Sequence, residues 1–183
     1  MLTQSFLFIG AGLFPLRNLN RVPSVLLVAI AIMLATGSFG SPTTAHNVAN
    51  DSKARAHVVR RALGELGTKY VYGAESPKKG FDCSGLTMWA YQGHGASLPH
   101  QSLMQYQLGN DRGYKRIKSR KDLKRGDIVA FKTTSAKVGH VGLYMGKGKF
   151  VSAVPSAGGV SIDSVNDPYY WGKRYVGATR VKF

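Results

Sequence analysis

The chain carries one thiol, Cys83, and five imidazoles, His46, His57, His94, His100 and His140. Cys83 stands in Phe81-Asp82-Cys83-Ser84-Gly85-Leu86, preceded by the turn residues Pro77 and Gly80 and followed by an apolar run with Leu86, Trp89 and Ala90. That context places the thiol at a helix N-terminus, where unpaired backbone N–H groups and the helix dipole favour an anion. The thiolate is the nucleophilic form of cysteine, so the position suits covalent catalysis, with a buried structural cysteine as the alternative. A thiol nucleophile needs a base. His46 falls in a linker, His57 on a polar helix face, His94 in a loop and His100 at a helix start, where capping or surface roles suffice. His140 differs, because it opens the strand-like run His140-Val141-Gly142-Leu143-Tyr144-Met145, and a strand start holds a ring as rigidly as general-base work requires. The histidine spacings match no metal motif, and a single cysteine excludes an internal disulfide and an all-cysteine metal site. No metal or other cofactor is expected.

The elements that must position these groups change period once along the chain. Residues 52–66 put Ala56, Val59, Leu63 and Leu66 at helical spacing, with Ser52 as cap and Gly67 as stop. A second helix is predicted from Cys83 or Ser84 to Gly93, and a third over residues 101–108. Beyond Arg125 the pattern becomes strand-like over 127–131, 140–145, 149–154, 160–163 and 175–181, with glycines between. Helices followed by a run of strands predict an α+β domain, its helices packed on a mainly antiparallel sheet of five or six strands.

At 183 residues the chain has room for one domain and a tail, and its 44% hydrophobic content argues against disorder. Its outlier is charge: 25 Lys and Arg against 9 Asp and Glu, a net +16. That excess predicts an anionic partner. No acid occurs before Asp51. Arg17 and Arg21 precede the apolar run 25–35, and small residues follow as far as Ala45. These are the parts of a secretory leader, cut after Gly40 or Ala45, or of an uncleaved N-terminal anchor. Residues 1–45 are therefore assigned to a leader or anchor with linker, residues 52–183 to the working domain, and the protein to the exported, periplasmic or wall-associated class. Without residues 1–45 the chain keeps 23 basic and 9 acidic residues, so the charge belongs to the domain.

Five fragments now fall in a recognisable order: Tyr70-Val71-Tyr72-Gly73; Asp82-Cys83-Ser84-Gly85; Leu98-Pro99 with Gln105; Arg125-Gly126-Asp127-Ile128-Val129-Ala130-Phe131; and Gly139-His140-Val141-Gly142-Leu143-Tyr144. Over about residues 55–183 the sequence resembles the NlpC-type bacterial cell-wall cysteine peptidases. The resemblance implies a papain-like α+β fold and hydrolysis of peptidoglycan stem peptides between γ-D-glutamate and a diamino acid. It implies Cys83 as nucleophile and His140 as the base and later acid, with the Cys83 backbone N–H binding the oxyanion. Tyr70 matches a tyrosine beside the nucleophile. Asp82 and Ser84 match positions that hold the substrate's N-terminal amine, although a helix cap and a first-turn residue explain them locally.

The third catalytic position departs from the pattern, since relatives carry a second histidine where this chain has Ser152 in Phe150-Val151-Ser152-Ala153. A three-residue turn through Gly146-Lys147-Gly148 sets Ser152 opposite Gly142, on the face of His140, whereas a two-residue turn at Lys147-Gly148 puts it on the other face. A serine hydroxyl can accept the imidazole N–H bond but cannot stabilise imidazolium as a carboxylate does. A catalytically weak or inactive envelope-binding protein of the same fold is thus the alternative reading. Finally, eight of the fourteen residues from Arg112 to Arg125 are basic. They read as a solvated loop that holds anionic envelope polymers or phospholipid head groups. Nucleic acid is not expected, because Tyr114 is the only aromatic among them.

Overall fold

The computed structural model describes residues 42–135 and 137–183, so the expected leader lies outside the described residues as far as position 41. Helix α1 (Pro42–Leu63) opens with Pro42, whose fixed φ suits a first turn. It therefore starts ten residues before the expected Ser52 cap and takes in positions 42–45. Its buried apolar side chains are Ala54, Val58, Val59 and Ala62, with Arg55 buried beside them, while Leu66 lies beyond the helix and is exposed. The core stripe thus keeps Val59 and the partly buried Leu63 of the expected face, and adds Ala54, Val58 and Ala62 in place of Ala56 and Leu66. The chain then forms β1 (Glu75–Ser76), β2 (Gly80–Phe81), α2 (Cys83–Gln92) and α3 (Ser102–Gln107).

Six strands follow: β3 (Tyr114–Ile117), β4 (Ile128–Phe131), β5 (His140–Gly146), β6 (Lys149–Val154), β7 (Gly159–Ser164) and β8 (Tyr175–Val181), with the short helix α4 (Trp171–Arg174) before the last. They pair antiparallel in the order β3-β8-β4-β5-β6-β7. The α+β expectation holds, with six strands in the main sheet. Strand alternation divides the interior in two. Ile128, Ala130, Val141, Leu143, Val151 and Ala153 face the helices α1 and α2. Val129, Phe131, Tyr144, Phe150 and Val154 form a second, aromatic cluster with Trp171 of α4.

The basic segment is only partly a loop. Tyr114–Ile117 is the edge strand β3, paired to β8, and Arg120–Asp122 is a turn of 3-10 helix. Four residues with charged alternation leave too weak a hydrophobic period for a strand to be read there, and lysines on an exposed edge are a usual guard against edge-to-edge pairing. Part of the charge is also spent internally: the Arg116 guanidinium lies 3.5 Å from the Tyr106 ring centroid, Arg120 lies 4.7 Å from that of Tyr175, and Arg125 Nε donates to the Met145 carbonyl at 3.0 Å.

The turn between β5 and β6 resolves the register by a route not expected. Lys147 and Gly148 both have positive φ, 52° and 72°, and form a two-residue turn between the paired Gly146 and Lys149. A register shift between Tyr144 and Gly146 then restores Tyr144↔Phe150 and Leu143↔Val151. One extra residue, Met145, forms the bulge that reverses the side-chain phase and returns Ser152 to the His140 face.

Two buried polar clusters hold the layers in place. Asp127 is fully buried at the start of β4, accepting from Arg180 Nε and Nη2 at 2.8 and 2.7 Å and from the Lys124 backbone N–H at 2.8 Å, with Arg55 of α1 at 3.6 Å. Gln105 of α3 is also buried. It accepts from Thr87 Oγ1 at 2.6 Å and donates to the Ser84 and Pro99 carbonyls, both at 2.9 Å. Each amide bond of Gln105 falls on α2 or on the segment before α3, so it fixes the helix that carries Cys83.

Candidate active site

Asp82 caps α2. Its Oδ1 accepts from the Gly85 N–H at 2.7 Å and the Ser84 hydroxyl at 3.0 Å, and its Oδ2 accepts from the Gly73 N–H at 2.9 Å. Gly85 is required here, because a Cβ would lie 2.2 Å from the Ala74 carbonyl oxygen. The cap orients the first turn so that Cys83 opens onto a cleft of about 900 Å³, whose walls include Tyr70, Tyr72, His140, Asp163 and the segment Asp167–Trp171. His140 reaches the same cleft from the start of β5. There the Gly139 N–H is bonded to Phe131 at 3.0 Å, and the ladder to β6 is paired no nearer than Leu143↔Val151. The backbone N–H groups of Val141, Ser84 and Cys83 itself lower the Cys83 thiol electrostatically.

His140 is 5% exposed and Ser152 is fully buried, and His140 Nε2 lies 3.0 Å from Ser152 Oγ. The hydroxyl reaches the ring diagonally across Gly142, whose missing side chain makes the room: a Cβ there would lie 2.9 Å from Ser152 Cβ and 2.7 Å from Phe150 Cδ2. With Nε2 engaged by serine, Nδ1 is the nitrogen left for the thiol. In the tautomer that places the proton on Nε2 and donates it to Oγ, Nδ1 is a free base.

The electrostatics differ from the expected stabilised thiolate. Burial pushes the Cys83 thiol up to about 11, against the lowering effect of the Val141, Ser84 and Cys83 N–H groups, and the Asp82 charge adds to the rise. Burial also pushes His140 down to about 4, with Asp82 pulling weakly the other way. Both shifts run toward the uncharged forms, neutral thiol and neutral imidazole. The helix terminus attracts anionic sulfur, but here desolvation outweighs it.

Of the six site residues expected from sequence, Cys83, His140 and Tyr70 line the cleft. Burial raises the Tyr70 phenol, with smaller contributions from Cys83, Asp82 and Tyr72. Ser152 stands behind the imidazole. Asp82 and Ser84 stand behind Cys83, bonded to each other. Sequence reasoning missed His100, which lies 3.0 Å through Nε2 from both oxygens of Asp82 and 3.0 Å through Nδ1 from Glu75 Oε2. His100 Nε2 would be 2.9 Å from a Cβ on Gly85, so the ring closes over the back of the cap. It also missed Trp171, whose ring centroid is 4.8 Å from that of His140. Asp167-Pro168 was the available signal, a capping acid with a proline just ahead of a short helix. Among the described residues no group of three or more His, Cys, Asp or Glu side chains is arranged to hold a metal ion.

Residues 67–180 match the sequence model of the NlpC/P60 family. Murein DD-endopeptidase MepH of Escherichia coli K12 is 32% identical over 152 residues, covering 82% of this chain and 54% of that protein. Murein DD-endopeptidase MepS/Murein LD-carboxypeptidase of the same strain is 35% identical over 136 residues, covering 74% of this chain and 67% of that protein. Gamma-DL-glutamyl hydrolase of Bacillus subtilis is 36% identical over 127 residues, with 68% of this chain and 29% of that protein covered. The chain thus spans about half the length of MepH and less of the hydrolase. Among solved structures, an NLP/P60 family protein of Staphylococcus aureus superposes with a TM-score of 0.61 at 30% identity, over 72% of this chain and 42% of that one. The peptidoglycan hydrolase RipB of Mycobacterium tuberculosis superposes with a TM-score of 0.59 at 27% identity, over 85% and 79% of the two chains. The order of fragments and the antiparallel sheet agree with these matches, and the chain belongs to the NlpC/P60 family.

Proposed function

We propose that the protein is an exported cysteine peptidase that hydrolyses peptidoglycan stem peptides at the γ-D-glutamyl–diamino acid bond. The observation that carries this reading is the convergence of Cys83, at the N-terminus of α2, and His140, at the start of β5, on one cleft, with Ser152 Oγ 3.0 Å from the far ring nitrogen. The Cys83 sulfur attacks the scissile carbonyl while its proton passes to His140 Nδ1, and the Cys83 N–H receives the developing oxyanion. Collapse breaks the C–N bond, and the imidazolium returns the proton to the leaving amine. Water then cleaves the thioester with His140 as base, which restores the thiol and releases the carboxylic acid. Tyr70 flanks the incoming chain in this scheme. An N-terminal ammonium of the substrate reaches Asp82 by displacing His100, the one partner of that carboxylate whose own ring is partly solvated.

Two relatives are named DD-endopeptidases, which favours cleavage of the cross-link between stem peptides as the second reading. Digestion of purified monomeric and cross-linked muropeptides, analysed by mass spectrometry, separates the two by product mass. Identical product profiles from wild type and Cys83→Ala overturn both and leave an envelope-binding protein of this fold. An envelope location follows from the same reading, because that is where the substrate lies. The basic segment fits it too: the side chains of Lys115, Lys118, Lys121 and Lys124 make no hydrogen bond or ion pair among the described residues, and with Arg180 they line a groove of about 400 Å³ suited to a linear polyanion of the wall. No large exposed apolar side chain stands among them, which disfavours a bilayer surface.

A further inference from the structure

The segment Asp167–Arg174 does more than close the space between β7 and β8. Asp167 accepts the backbone N–H groups of Tyr170 and Trp171 at 2.6 and 2.9 Å, and that of Tyr169 at 3.4 Å. These bonds hold the Asp167 carboxyl below its ordinary range. The Gly172 N–H adds a bond to the Asp167 carbonyl at 2.8 Å, and a Cβ on Gly172 would lie 2.5 Å from that same oxygen. From the opposite side Arg120 Nη2 donates to the Gly172 carbonyl. Three anchors therefore fix four residues, and the side chain so fixed is Trp171.

Trp171 is 8% exposed and sits over the imidazole, its plane 35° from that of His140. Phe131 at 4.9 Å, Phe150 at 5.3 Å and Tyr170 at 4.9 Å also meet it edge to face and leave it little rotational freedom. Ser152, beneath the same aromatic cluster, has no solvent exposure. We propose that Trp171 is a positioning residue of the site: held by the Asp167 cap, its indole roofs the His140–Ser152 pair, excluding water and keeping the imidazole in one plane.

Two effects of the indole oppose each other. Its π-face favours imidazolium, while its bulk strips the ring of water and disfavours it. Burial is the largest cause lowering His140 to about 4, and the indole packed 4.8 Å from the ring is part of what buries it. The groups around the ring from the packed elements are Cys83 of α2 with its capping Asp82 behind it, Ser152 of β6 and Phe131 of β4, with Tyr70, Asp163 and Asp167 around the cleft. None of these is a cation that would depress His140 in place of burial.

The inference rests on the proposed Cys83–His140 chemistry, but it is read first in the resting enzyme, without substrate. The full chain carrying isotope-labelled histidine is titrated by NMR as wild type, Trp171→Ala, Trp171→Phe and Asp167→Ala. The His140 midpoint is expected to rise from about 4 toward the ordinary 6.5 in Trp171→Ala, less far in Asp167→Ala, and least in Trp171→Phe. On a soluble muropeptide, kcat falls about tenfold in Trp171→Ala, and Trp171→Phe recovers it to within about threefold. An unmoved midpoint in folded Trp171→Ala overturns the proposal, as does a phenylalanine variant no better than the alanine one. Should Trp171→Ala not fold, the capping variant decides, because Asp167 is a surface carboxylate: a midpoint that stays at the wild-type value refutes the roof. Loss of the hydrolase reading itself appears elsewhere, as unchanged muropeptide profiles with Cys83→Ala.

Discussion

Replacing Ser152 with alanine tests whether a neutral third residue serves the proposed Cys83–His140 pair. The hydroxyl is fully buried, lies 3.0 Å from His140 Nε2, and is the side-chain partner the ring has there. Alanine fits the space without strain, so the variant loses one bond and little packing. A buried hydrogen bond between uncharged groups contributes about 0.5–1.5 kcal/mol net. If that energy serves only to hold the ring and its tautomer, kcat/KM falls about two- to tenfold, since about 1.4 kcal/mol corresponds to a factor of ten. A buried carboxylate in the same place would do more, because it also stabilises imidazolium; loss of the aspartate from a Ser-His-Asp triad costs about 10⁴-fold. The measurement is kcat/KM on a soluble muropeptide from about pH 5 to 9, with iodoacetamide labelling of Cys83 as a substrate-free control. Activity within twofold of wild type at every pH refutes the positioning role of Ser152. A loss of about 10³-fold or more refutes the neutral-pair argument, because a hydroxyl that only orients an uncharged ring has no such energy to give.

Three further outcomes follow from the same geometry. Stability should fall on both sides of a broad plateau. Below pH 6.5 the unfolded chain protonates His140 while the folded one holds out to about 4, and above pH 9 the unfolded chain ionises Cys83 while the folded one holds out to about 11. Each limb removes up to about 3 kcal/mol, measurable by urea unfolding, and the acid limb should vanish in His140→Phe and the alkaline limb in Cys83→Ala. Gly142→Ala should destabilise by about 1–3 kcal/mol, since the new Cβ meets Phe150 at 2.7 Å and Ser152 at 2.9 Å; an unchanged urea midpoint would show that the strands can part without cost. Replacing Lys115, Lys118, Lys121 and Lys124 together with glutamine should weaken and flatten the salt dependence of retention on insoluble wall, and leave hydrolysis of a soluble muropeptide unchanged. Equal retention at every salt concentration would remove the groove from the reading.

What the chain discloses before it folds is local chemistry. Cys83 at a helix start, His140 at a strand start and the α+β order follow from periodicity and turn residues, because those signals depend on neighbours within a few positions. Lys149–Val154 and Tyr175–Val181 were legible to the residue for the same reason. The edge strand β3 was not, since its stability comes from β8, some sixty residues away, rather than from its own four-residue pattern. The face of Ser152 lay between the two cases. The right residue was in view, yet the two-residue turn alone predicts the wrong side, and the bulge at Met145 becomes visible only once both strands are paired.

The protonation state of the pair was out of reach for a deeper reason. A helix N-terminus is a property of sequence, and by itself it favours the thiolate. Desolvation depends on every group packed around the sulfur and the ring, which come from α2, β5, β6 and α4. The same holds for His100 between Asp82 and Glu75, and for Trp171 over His140. The sequence by itself determined which groups can react. The tertiary structure alone decided which of them meet, how dry they are and in what charge state they wait, because those depend on distances and solvent exposure between segments far apart in the chain.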